Sequence, residues 1–362
     1  MQSKLQAGII GFGLAGRNMH YKALVEGLKD KSEVTAVYNR STIPREGRNE
    51  NDYPLAESTV LYEDIDRFFE HPGLDIVHIT APSGLHFDFI EKAAQAGLHV
   101  ICDKPLDVTL ERIDRAVRVC KDNNVSLSVS FQKRYNPHVL YLKKAIDEGR
   151  LGNIIYGSVE CKLYRHPDYY NESAWHGRYD LDGGAALMNQ SIHYIDIVQW
   201  LMGSPITEVR KGIAERLVHT YIEAEDFGYG ELLLTNGAIM TILGGTCFRP
   251  GIGEMFEIRG TKGWGVVANG VVTKACWDGR DQTSSFGASE TTVGSSSSPA
   301  LGLENHIRYF REIYDAVIKG KEVPLSGSEA RTATEIILGI YKAAETGKPV
   351  MFPLESDYEP GS

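Results

Sequence analysis

Cysteine is scarce in this chain, and no cysteine lies close to another. Five occur in 362 residues, no two form a C-x-x-C motif, and no His or Cys spacing matches a metal site. The pattern therefore gives no support to a metal centre, and it favours reduced thiols in a reducing compartment. The five are Cys102, Cys120, Cys161, Cys247 and Cys276.

The chain also lacks a long apolar run and an excess of positive charge. No segment reaches the ~20 apolar residues that a membrane span needs, and the first apolar residues belong to a predicted strand rather than to a signal peptide. The net charge of −10 argues against nucleic-acid binding and against a basic membrane-binding surface. The length, with 42% hydrophobic and 24% charged residues, indicates a globular protein large enough for two domains. We therefore expect a cytoplasmic protein with no nucleic-acid or membrane partner.

A glycine-rich motif near the N-terminus is the most informative feature that is present. The apolar run 7–10 predicts a buried strand, and Gly11-Phe-Gly-Leu-Ala-Gly16 connects it to a predicted helix. A strand, a G-x-G-x-x-G turn and a helix in this order are typical of a dinucleotide-binding fold, in which the N–H groups of the helix N-terminus bind the phosphates. Gly11 permits the tight turn, Gly13 lets the backbone approach a pyrophosphate, and Gly16 lets the helix pack on the strand. The predicted cofactor-binding residues here are Gly11, Phe12, Gly13, Leu14 and Ala15.

The second predicted strand, 34–38, strengthens this interpretation and bears on the choice of cofactor. The Asp or Glu that would bind the ribose 2′-OH of NAD is absent at its end, where Asn39-Arg40-Ser41 stands instead. A guanidinium beside a hydroxyl suits a 2′-phosphate, so the sequence favours NADP over NAD. The alternative is that Arg40 is a solvated loop charge and that Asn39 binds the ribose of NAD.

Predicted strands and helices alternate up to about residue 125, which indicates a parallel sheet with helices on both faces. We predict a dinucleotide-binding domain over 1–125 and a substrate-binding and oligomerisation domain over 126–362, with mostly antiparallel strands and C-terminal helices over 304–346. Asn236-Gly237 indicates a hairpin, and the Ser-rich stretch 281–299 predicts a surface loop. The predicted strands are 6–10, 34–38, 75–80, 98–102, 125–130, 154–164, 206–218, 227–234, 237–247, 254–259 and 264–267, and the predicted helices are 87–96, 110–123, 185–202, 304–319 and 326–346.

Polar clusters follow three strands of the predicted parallel sheet, whose carboxyl ends meet at the edge where ligands bind. Lys104 follows a buried strand between Asp103 and Pro105, where its amine can act as an acid or base beside a bound cofactor. The alternative is a surface lysine, the commoner position for this residue type. The predicted cofactor-binding residues of these clusters are Thr80, Pro82, His86, Asp103, Lys104, Gln132 and Arg134.

A further polar cluster lies on the predicted helix 185–202. Asn189 and His193 are four residues apart and therefore share a helix face. The imidazole of His193 can accept a hydroxyl proton, Asn189 can hydrogen-bond a second hydroxyl, and Asp196 can orient the imidazole. The alternative is that His193 is a core histidine whose hydrogen bonds are satisfied within the protein. No H-x-x-x-H motif or carboxylate cluster supports a metal.

Together these motifs resemble those of the Gfo/Idh/MocA oxidoreductases, the relatives of glucose–fructose oxidoreductase and inositol dehydrogenase, over nearly the whole chain. The resemblance implies an α/β Rossmann domain followed by an α+β domain with a large open-faced, mainly antiparallel sheet that commonly mediates homodimers or homotetramers. It also implies hydride transfer between a secondary alcohol or ketone carbon of a sugar, sugar acid or cyclitol and the nicotinamide of NAD or NADP. The residues that carry the resemblance are Gly11–Gly16, Thr80–His86, Asp103-Lys104-Pro105, Gly183-Gly184, Asn189 and His193.

The resemblance also assigns roles to single residues. Lys104 corresponds to the catalytic lysine, and Asp103 replaces the family's Glu, which would hold the nicotinamide ribose. Asn189 replaces an Asp, and because an amide does not titrate, proton transfer would depend on His193 with Lys104. The run 186–190 is similar to that of members that oxidise uronic or nucleotide sugars. The predicted catalytic residues are Lys104 and His193, and the predicted substrate-binding residues are Lys104, Tyr164, Arg165, Trp175, Asn189 and His193, with His176 and Arg178 as further candidates.

Three other functions stay open. A non-catalytic dinucleotide-binding regulator would lack the Lys or the His, and both are present here. A glycosidase that acts through transient oxidation would keep its NAD during purification. A reductase of small carbonyl compounds would have a smaller and more apolar pocket than Arg165, Trp175 and Arg178 imply.

Overall fold

The strands of the protein form two separate sheets. The computed structural model describes residues 4–286 and 299–361. Its strands are β1 (Leu5–Ile10), β2 (Ser32–Tyr38), β3 (Val60–Tyr62), β4 (Ile76–Ile79), β5 (His99–Cys102), β6 (Leu127–Val129), β7 (Ile154–Lys162), β8 (Ile206–Glu215), β9 (Phe227–Leu234), β10 (Ile239–Gly245), β11 (Gly253–Gly260), β12 (Gly263–Ala268), β13 (Val271–Trp277), β14 (Arg280–Asp281) and β15 (Val350–Met351).

Two of the helices begin with a wider, π-helical turn: Gly16–Tyr21 leads into α1, and Ala186–Ser191 leads into α8. Such turns occur frequently at functional sites. Within the described residues, no helix is both long and apolar enough to cross a membrane. The helices are α1 (Lys22–Gly27), α2 (Ile65–Phe69), α3 (His86–Gln95), α4 (Leu110–Asp122), α5 (Pro137–Asp147), α6 (Pro167–Asn171), α7 (Tyr179–Asp182), α8 (Ile192–Met202), α9 (Pro299–Ile318) and α10 (Gly327–Thr346).

The chain divides into two compact units. The first contains the residues up to Asp107, Glu111–Gln132 and Ala300–Arg331. The second contains Val108–Leu110, the described residues from Lys133 to Pro299, and the chain from Thr332 onward. The sequence interpretation divides the chain at residue 125, whereas most of α9 packs with the first unit. Ion pairs such as Arg311–Asp30 join α9 to the segment before β2.

The first unit is built on an entirely parallel six-stranded sheet in the order β3-β2-β1-β4-β5-β6. β2 and β3 lie on one side of β1, and β4, β5 and β6 lie on its other side. The direction in which strands are added therefore reverses between β1 and β4. Sheets of this kind bind ligands beyond the carboxyl ends of the strands at such a reversal. β4 and β6 are buried along their whole length, as expected for parallel strands covered on both faces. The predicted Rossmann domain is therefore confirmed.

The second unit is built on a nine-stranded sheet in the order β14-β13-β12-β11-β7-β10-β9-β8-β15. Every neighbouring pair is antiparallel except β7 and β10. Buried and half-exposed residues alternate along β9 and β10, so one face of these strands is covered. Helix α8 packs closely on β7, where a Cβ at Gly157 would lie 2.6 Å from the Sδ atom of Met202. The mainly antiparallel sheet and the Asn236-Gly237 hairpin between β9 and β10 are both confirmed.

The sequence analysis missed several strands, and it extended others too far. The missed strands β3, β14 and β15 lie at sheet edges, and β13 is the neighbour of an edge strand. The strand predicted over 206–218 ends at Glu215 because the N–H groups of residues 217–219 donate to the buried Asp226 carboxylate at 2.6–2.8 Å. Of the surface loop predicted over 281–299, residues 287–298 lie outside the described residues.

Three buried histidines in the first unit make its stability sensitive to acid. The Nδ1 atoms of His20 and His78 lie 3.0 Å apart, and the ring centroids of His20 and His306 lie 5.7 Å apart. Burial lowers the pKa of His20 from 6.5 to about 3 and that of His306 to about 4. Both imidazoles are therefore neutral in the folded chain at neutral pH.

We expect the free energy of unfolding to fall as the pH drops from 6.5 towards 4. Below pH 6.5 the unfolded chain binds protons that the folded chain does not, which favours unfolding. For His306, whose pKa falls from 6.5 to about 4, the loss by pH 4 is about 3 kcal/mol. Urea unfolding of the wild type and of His306→Gln across this range separates this contribution from that of the carboxylates. The same pH dependence in both proteins would contradict the prediction.

Candidate active site

The glycine motif forms an open cradle at the carboxyl end of β1. Gly11 has a φ of +85°, and a Cβ there would lie 2.9 Å from the carbonyl oxygen of Thr80. The hydroxyl of Thr80 donates to the carbonyl oxygen of Gly11 at 2.5 Å, and a Cβ at Gly16 would collide with that same oxygen. A Cβ at Gly13, in contrast, would have no atom within 4 Å. The fold thus requires Gly11 and Gly16, whereas Gly13 leaves space that suits a pyrophosphate.

Replacing Gly13 by Ala is expected to leave thermal unfolding unchanged and to weaken NADPH or NADH binding about tenfold or more. The added methyl group would meet no protein atom, but it would occupy the space next to the phosphates. Gly16→Ala is the matched control, and it should destabilise the fold because its methyl group collides with the Gly11 carbonyl. Fluorescence titration and thermal unfolding measure the two effects. Wild-type affinity in Gly13→Ala would show that the cradle does not bind the cofactor.

Asn39 joins the glycine motif to the end of β2. Its Oδ1 atom accepts a hydrogen bond from the backbone N–H of Phe12 at 3.0 Å, and its Nδ2 atom donates to the carbonyl oxygen of Ser41 at 2.8 Å. The side chains of Arg40 and Ser41 are exposed beside it. The structure therefore brings together Phe12 and the three residues that the sequence analysis assigned to the ribose end of the cofactor.

Arg17, which the sequence analysis missed, is a buried residue that stabilises the loop after β2. It is buried, its guanidinium lies 4.7 Å from the centroid of the Phe12 ring, and it donates to the carbonyl oxygens of Pro44, Arg45 and Tyr53 at 2.6–3.1 Å. These bonds fix the loop after β2 against the helix that follows the glycine motif. Sequence alone gives no signal for this role, because an Arg after such a motif is compatible with a solvated position.

Lys104 lies just beyond the carboxyl end of β5, in a loop braced by neighbouring residues. Its backbone N–H donates to the Asp103 carboxylate at 2.9 Å, its side chain is half-buried, and its peptide bond to Pro105 is cis. The ring nitrogens of buried His86 lie 2.9 Å from the carbonyl oxygen of Pro105 and 2.8 Å from that of Ala81. His86 thus links the loops after β4 and β5, a role that the sequence analysis did not assign to it.

In the second unit, Asn189 lies on the helical run Ala186–Ser191 that leads into α8, and buried His193 lies on α8 itself. Buried Asp182 accepts hydrogen bonds from the Asn189 side-chain amide at 2.5 Å and from the Gly177 N–H at 2.9 Å. The side chain of Gln190 donates to Asn189 Oδ1 at 2.9 Å. Asp182 and Gln190 therefore determine which way the Asn189 amide points.

Glu225 holds the start of the same helical run. Its buried carboxylate accepts hydrogen bonds from the N–H groups of Ala185 at 3.2 Å and Leu187 at 2.7 Å, and from the Tyr341 hydroxyl at 2.8 Å. Burial raises the pKa of Glu225, while these hydrogen bonds act in the opposite direction. A Cβ at Gly184 would collide with the Tyr341 hydroxyl, which explains a glycine at that position. The sequence analysis missed Glu225 because it is distant in sequence from the helix it caps.

Arg134 and Asp196 form a buried, bidentate ion pair. The guanidinium donates to the two carboxylate oxygens at 2.7 and 2.6 Å and lies 4.9 Å from the centroid of the Trp200 ring. The pair connects the segment after β6 to α8. The contact of Arg134 with a cofactor and the orientation of His193 by Asp196 stay predictions.

The aromatic ring of Tyr169 connects several of the predicted substrate-binding residues. The Arg165 guanidinium lies 5.2 Å from its centroid and donates to the Gln190 side chain at 2.5 Å. His176 stacks on the same ring with 4.1 Å between centroids, and Trp175 packs on His176. Elsewhere in the unit, Tyr164 lies under Arg249, and exposed Arg178 pairs with Asp180.

The predicted residues are distributed over both units. Within the described ranges, no group of three or more His, Cys, Asp or Glu side chains is placed to hold a metal ion. The first unit contains Gly11–Ala15, Asn39–Ser41, Thr80, Pro82, His86, Asp103, Lys104 and Gln132, and the second contains Arg134, Tyr164, Arg165, Trp175, Asn189 and His193.

Two family models match successive parts of the chain. Residues 5–131 match the oxidoreductase family with an NAD-binding Rossmann fold, and residues 139–266 match the GFO/IDH/MocA C-terminal domain. These are the two domains expected from the glycine motif, the Asp103-Lys104-Pro105 segment and the His193 helix.

Relatives and solved structures agree with this match. The chain is 26% identical over 362 residues to scyllo-inositol 2-dehydrogenase (NADP(+)) IolW of Bacillus subtilis, with 96% of each chain covered. It is 29% identical over 221 residues to the NAD(+)-dependent scyllo-inositol 2-dehydrogenase of the same organism, covering 58% of this chain and 57% of that one. The structure of the WlbA dehydrogenase from Bordetella pertussis in complex with NADH and UDP-GlcNAcA superimposes with a TM-score of 0.83 at 24% identity, covering 98% of this chain and 99% of that one. The fold is thus shared with that structure, and the family models establish that this chain belongs to the GFO/IDH/MocA family of NAD-binding oxidoreductases.

Proposed function

We propose that the protein transfers a hydride between nicotinamide and a secondary alcohol or ketone carbon of a sugar, sugar acid or cyclitol. The observation that carries the proposal is the open cradle at Gly13, which follows β1 of the same parallel sheet whose strand β5 leads into the Lys104 loop. The names of the two scyllo-inositol dehydrogenases support a cyclitol, and the WlbA complex with UDP-GlcNAcA supports a sugar acid. NAD(P), when bound, supplies or accepts the hydride.

Proton transfer falls to His193 and Lys104 in this proposal. In the oxidative direction, His193 accepts the hydroxyl proton and Lys104 assists as a second acid–base group. Asn189, whose amide is oriented by Asp182, binds a neighbouring hydroxyl. Asp103 binds the nicotinamide ribose. Because Asp182 orients the Asn189 amide and the Lys104 loop is braced by Asp103 and His86, much of the rate in this proposal comes from positioning the reacting carbon.

The remaining substrate contacts come from the residues around Tyr169. Arg165 offers a guanidinium that suits a carboxylate or a phosphate, and Trp175 offers an aromatic face for a sugar ring. Their connection through Tyr169 and His176 supports one binding surface. Tyr164, which lies under Arg249, extends the proposed surface in the same unit.

We propose NADP as the preferred cofactor because exposed Arg40 and Ser41 stand at the end of β2 without a carboxylate. Arg40→Ala is expected to weaken NADPH binding about tenfold and to leave NADH binding nearly unchanged, since only NADPH carries the 2′-phosphate. Arg48→Ala, at another exposed position of the same loop, is the control that should change neither affinity. Fluorescence titration of the two variants with NADPH and with NADH measures the four dissociation constants. An equal loss for both cofactors in Arg40→Ala would contradict the assignment.

We propose that the half-exposed face of the nine-stranded sheet joins copies of the chain into a homodimer or homotetramer. Tyr229, Leu233, Ile239 and Leu243 alternate with buried residues along β9 and β10 and are half-exposed. Leu233 pairs with Ile239 and Tyr229 pairs with Leu243 across the two strands, and apolar side chains grouped in this way are typical of a protein–protein contact. Light scattering at assay concentrations tests the proposal, and a monomer would contradict it. The scattered cysteines support a cytoplasmic setting.

The balance of products distinguishes the proposed dehydrogenase from its alternatives. A dehydrogenase forms one carbonyl product for each cofactor reduced. A glycosidase acting through transient oxidation would release a free sugar without net reduction and would retain its cofactor during purification. A regulator would bind the cofactor and form no product. Mass spectrometry of the sugar products together with absorbance of the reduced cofactor measures these quantities, and product formation without net cofactor reduction would contradict the proposal.

A further inference from the structure

Among residues 4–286 and 299–361, five polar side-chain atoms of the first unit are buried without a hydrogen-bond partner, and three of them lie just after β6 or on α9. These three are Ser130 Oγ, Gln132 Oε1 and Asn305 Oδ1. Ser130 is fully buried, and Asn305 is only 5% exposed. Most buried polar atoms in native proteins are hydrogen-bonded, so each exception requires an explanation. A bound ligand explains all three if they lie at one place in the fold.

The contact between β6 and α9 places two of these side chains. The hydroxyls of Ser128 on β6 and Tyr309 on α9 lie 2.7 Å apart. Ser130 is two residues beyond Ser128 and lies on the same side of the extended chain. Asn305 is four residues before Tyr309 and lies on the same face of the helix. Both residues therefore belong to the border between β6 and α9.

Contacts of the later turns of α9 show whether Asn305 lies towards the carboxyl or the amino ends of the parallel strands. Arg311 pairs with Asp30, and Asp315 pairs with Lys31, in the segment just before β2 begins. The later turns of α9 thus lie at the amino ends of the parallel strands. Its first turns lie towards the carboxyl ends, the edge that carries the glycine cradle and Lys104.

His306 gives independent support for this placement. Burial lowers the pKa of His306 to about 4, and the Asp103 carboxylate acts on it in the opposite direction. The ring of His306 also lies 5.7 Å, centroid to centroid, from that of His20 on the helical turn Gly16–Tyr21 that follows the glycine cradle. Asn305, the residue before His306, is therefore in the same region of the unit as the Asp103-Lys104 loop.

We propose that Asn305 binds the nicotinamide carboxamide of the cofactor, its Oδ1 atom accepting a hydrogen bond from the carboxamide NH₂ group. In this strand order the two halves of a dinucleotide bind on either side of the β1–β4 boundary, and the β5–β6 side takes the half next to Lys104. A carboxamide has two N–H donors and one carbonyl acceptor. The carbonyl oxygens of Asn305 and Gln132 match the two donors, and the Ser130 hydroxyl can donate to the acceptor. The inference rests on the dinucleotide binding proposed above.

The test compares ligands with and without the carboxamide. Asn305→Ala should weaken NADPH binding about tenfold and leave the binding of 2′-phospho-ADP-ribose, which lacks nicotinamide, unchanged. The wild type should bind the 3-acetylpyridine analogue of NADP⁺ about tenfold more weakly than NADP⁺, because a methyl ketone has no N–H to donate. Asn305→Ala should discriminate less between these two ligands, because Gln132 alone would then accept from the carboxamide NH₂ group.

A matched variant controls for the loss of a buried polar atom. Thr35→Val removes another buried hydroxyl without a partner in the described residues, within strand β2, and should change none of these affinities. Asn305→Ser, whose side chain is too short to reach the carboxamide, serves in place of Asn305→Ala should that variant not fold.

Three results would overturn the inference. These are unchanged NADPH binding, equal weakening of NADPH and 2′-phospho-ADP-ribose, and an undiminished preference of the variant for NADP⁺ over its analogue. A wild type that binds none of the ligands would instead contradict the dinucleotide function itself, and the inference with it.

Discussion

Replacing Lys104 by Met is expected to lower kcat by about 10²–10⁴-fold while the cofactor dissociation constant changes little. The side chain follows β5 in a loop whose backbone is held by Asp103 and, through Pro105, by His86. Met has a similar length and no proton to exchange, so the loop and the cradle should persist without the acid–base group. Steady-state kinetics and fluorescence titration separate the two effects.

Lys104→Arg is the informative control for this prediction. Arg keeps the positive charge but does not release its proton at the pH of an assay. If Lys104 works as an acid or base, Arg should restore little of the lost kcat. If its charge alone is needed, Arg should restore most of it. Full turnover in Lys104→Met would remove Lys104 from the mechanism.

Replacing Asp196 by Asn is expected to lower the free energy of unfolding by about 3–5 kcal/mol. Asp196 is fully buried, and both of its carboxylate oxygens accept hydrogen bonds from Arg134. The neutral amide would leave the buried Arg134 guanidinium without its opposite charge. Because Asp196 lies on α8, three residues after His193, the loss should also loosen the helix that carries the proposed base. Urea or thermal unfolding measures the change in stability.

The exposed pair Arg178–Asp180 provides a matched control with similar geometry. Its two hydrogen bonds, both 2.8 Å long, also join Nε and Nη2 of an Arg to the two oxygens of one Asp. Both side chains are about half-exposed, so water can replace either partner. Asp180→Asn should therefore leave the stability nearly unchanged. Equal losses in Asp180→Asn and Asp196→Asn would contradict the importance of burial.

The features that the sequence predicts are those that depend on short stretches of chain. The run 7–10 followed by Gly11–Gly16 determines a strand, a turn and a helix together, since the backbone geometry of the turn requires glycine at positions 11 and 16. The Asn236-Gly237 hairpin depends on two residues that favour a tight turn. In the same way, Lys104 could be identified because it directly follows a buried strand.

The features that the sequence does not predict depend on contacts between distant segments. Glu225 caps the helix that leads to His193 from 40 residues away, and Arg17 binds carbonyl oxygens up to 36 residues further along the chain. Asn305 lies near the carboxyl edge of the first sheet only because α9 packs with the first unit. Periodicity and motif spacing do not predict such contacts, because the contacts depend on how elements that are far apart in sequence pack together. The expectation that Asp196 orients His193 also did not consider Arg134, which donates hydrogen bonds to the Asp196 carboxylate in the structure.

The central claim is that this chain transfers a hydride between a sugar-like alcohol and nicotinamide. The most direct measurement is the absorbance of reduced nicotinamide during incubation of the wild type with NAD⁺ or NADP⁺ and a substrate panel. The panel contains myo-inositol, scyllo-inositol, D-xylose, glucuronate and UDP-GlcNAcA. We predict turnover with one of these classes, faster with NADP⁺ than with NAD⁺, and its loss in Lys104→Met. Tight cofactor binding without reduction by any member of the panel would contradict the account.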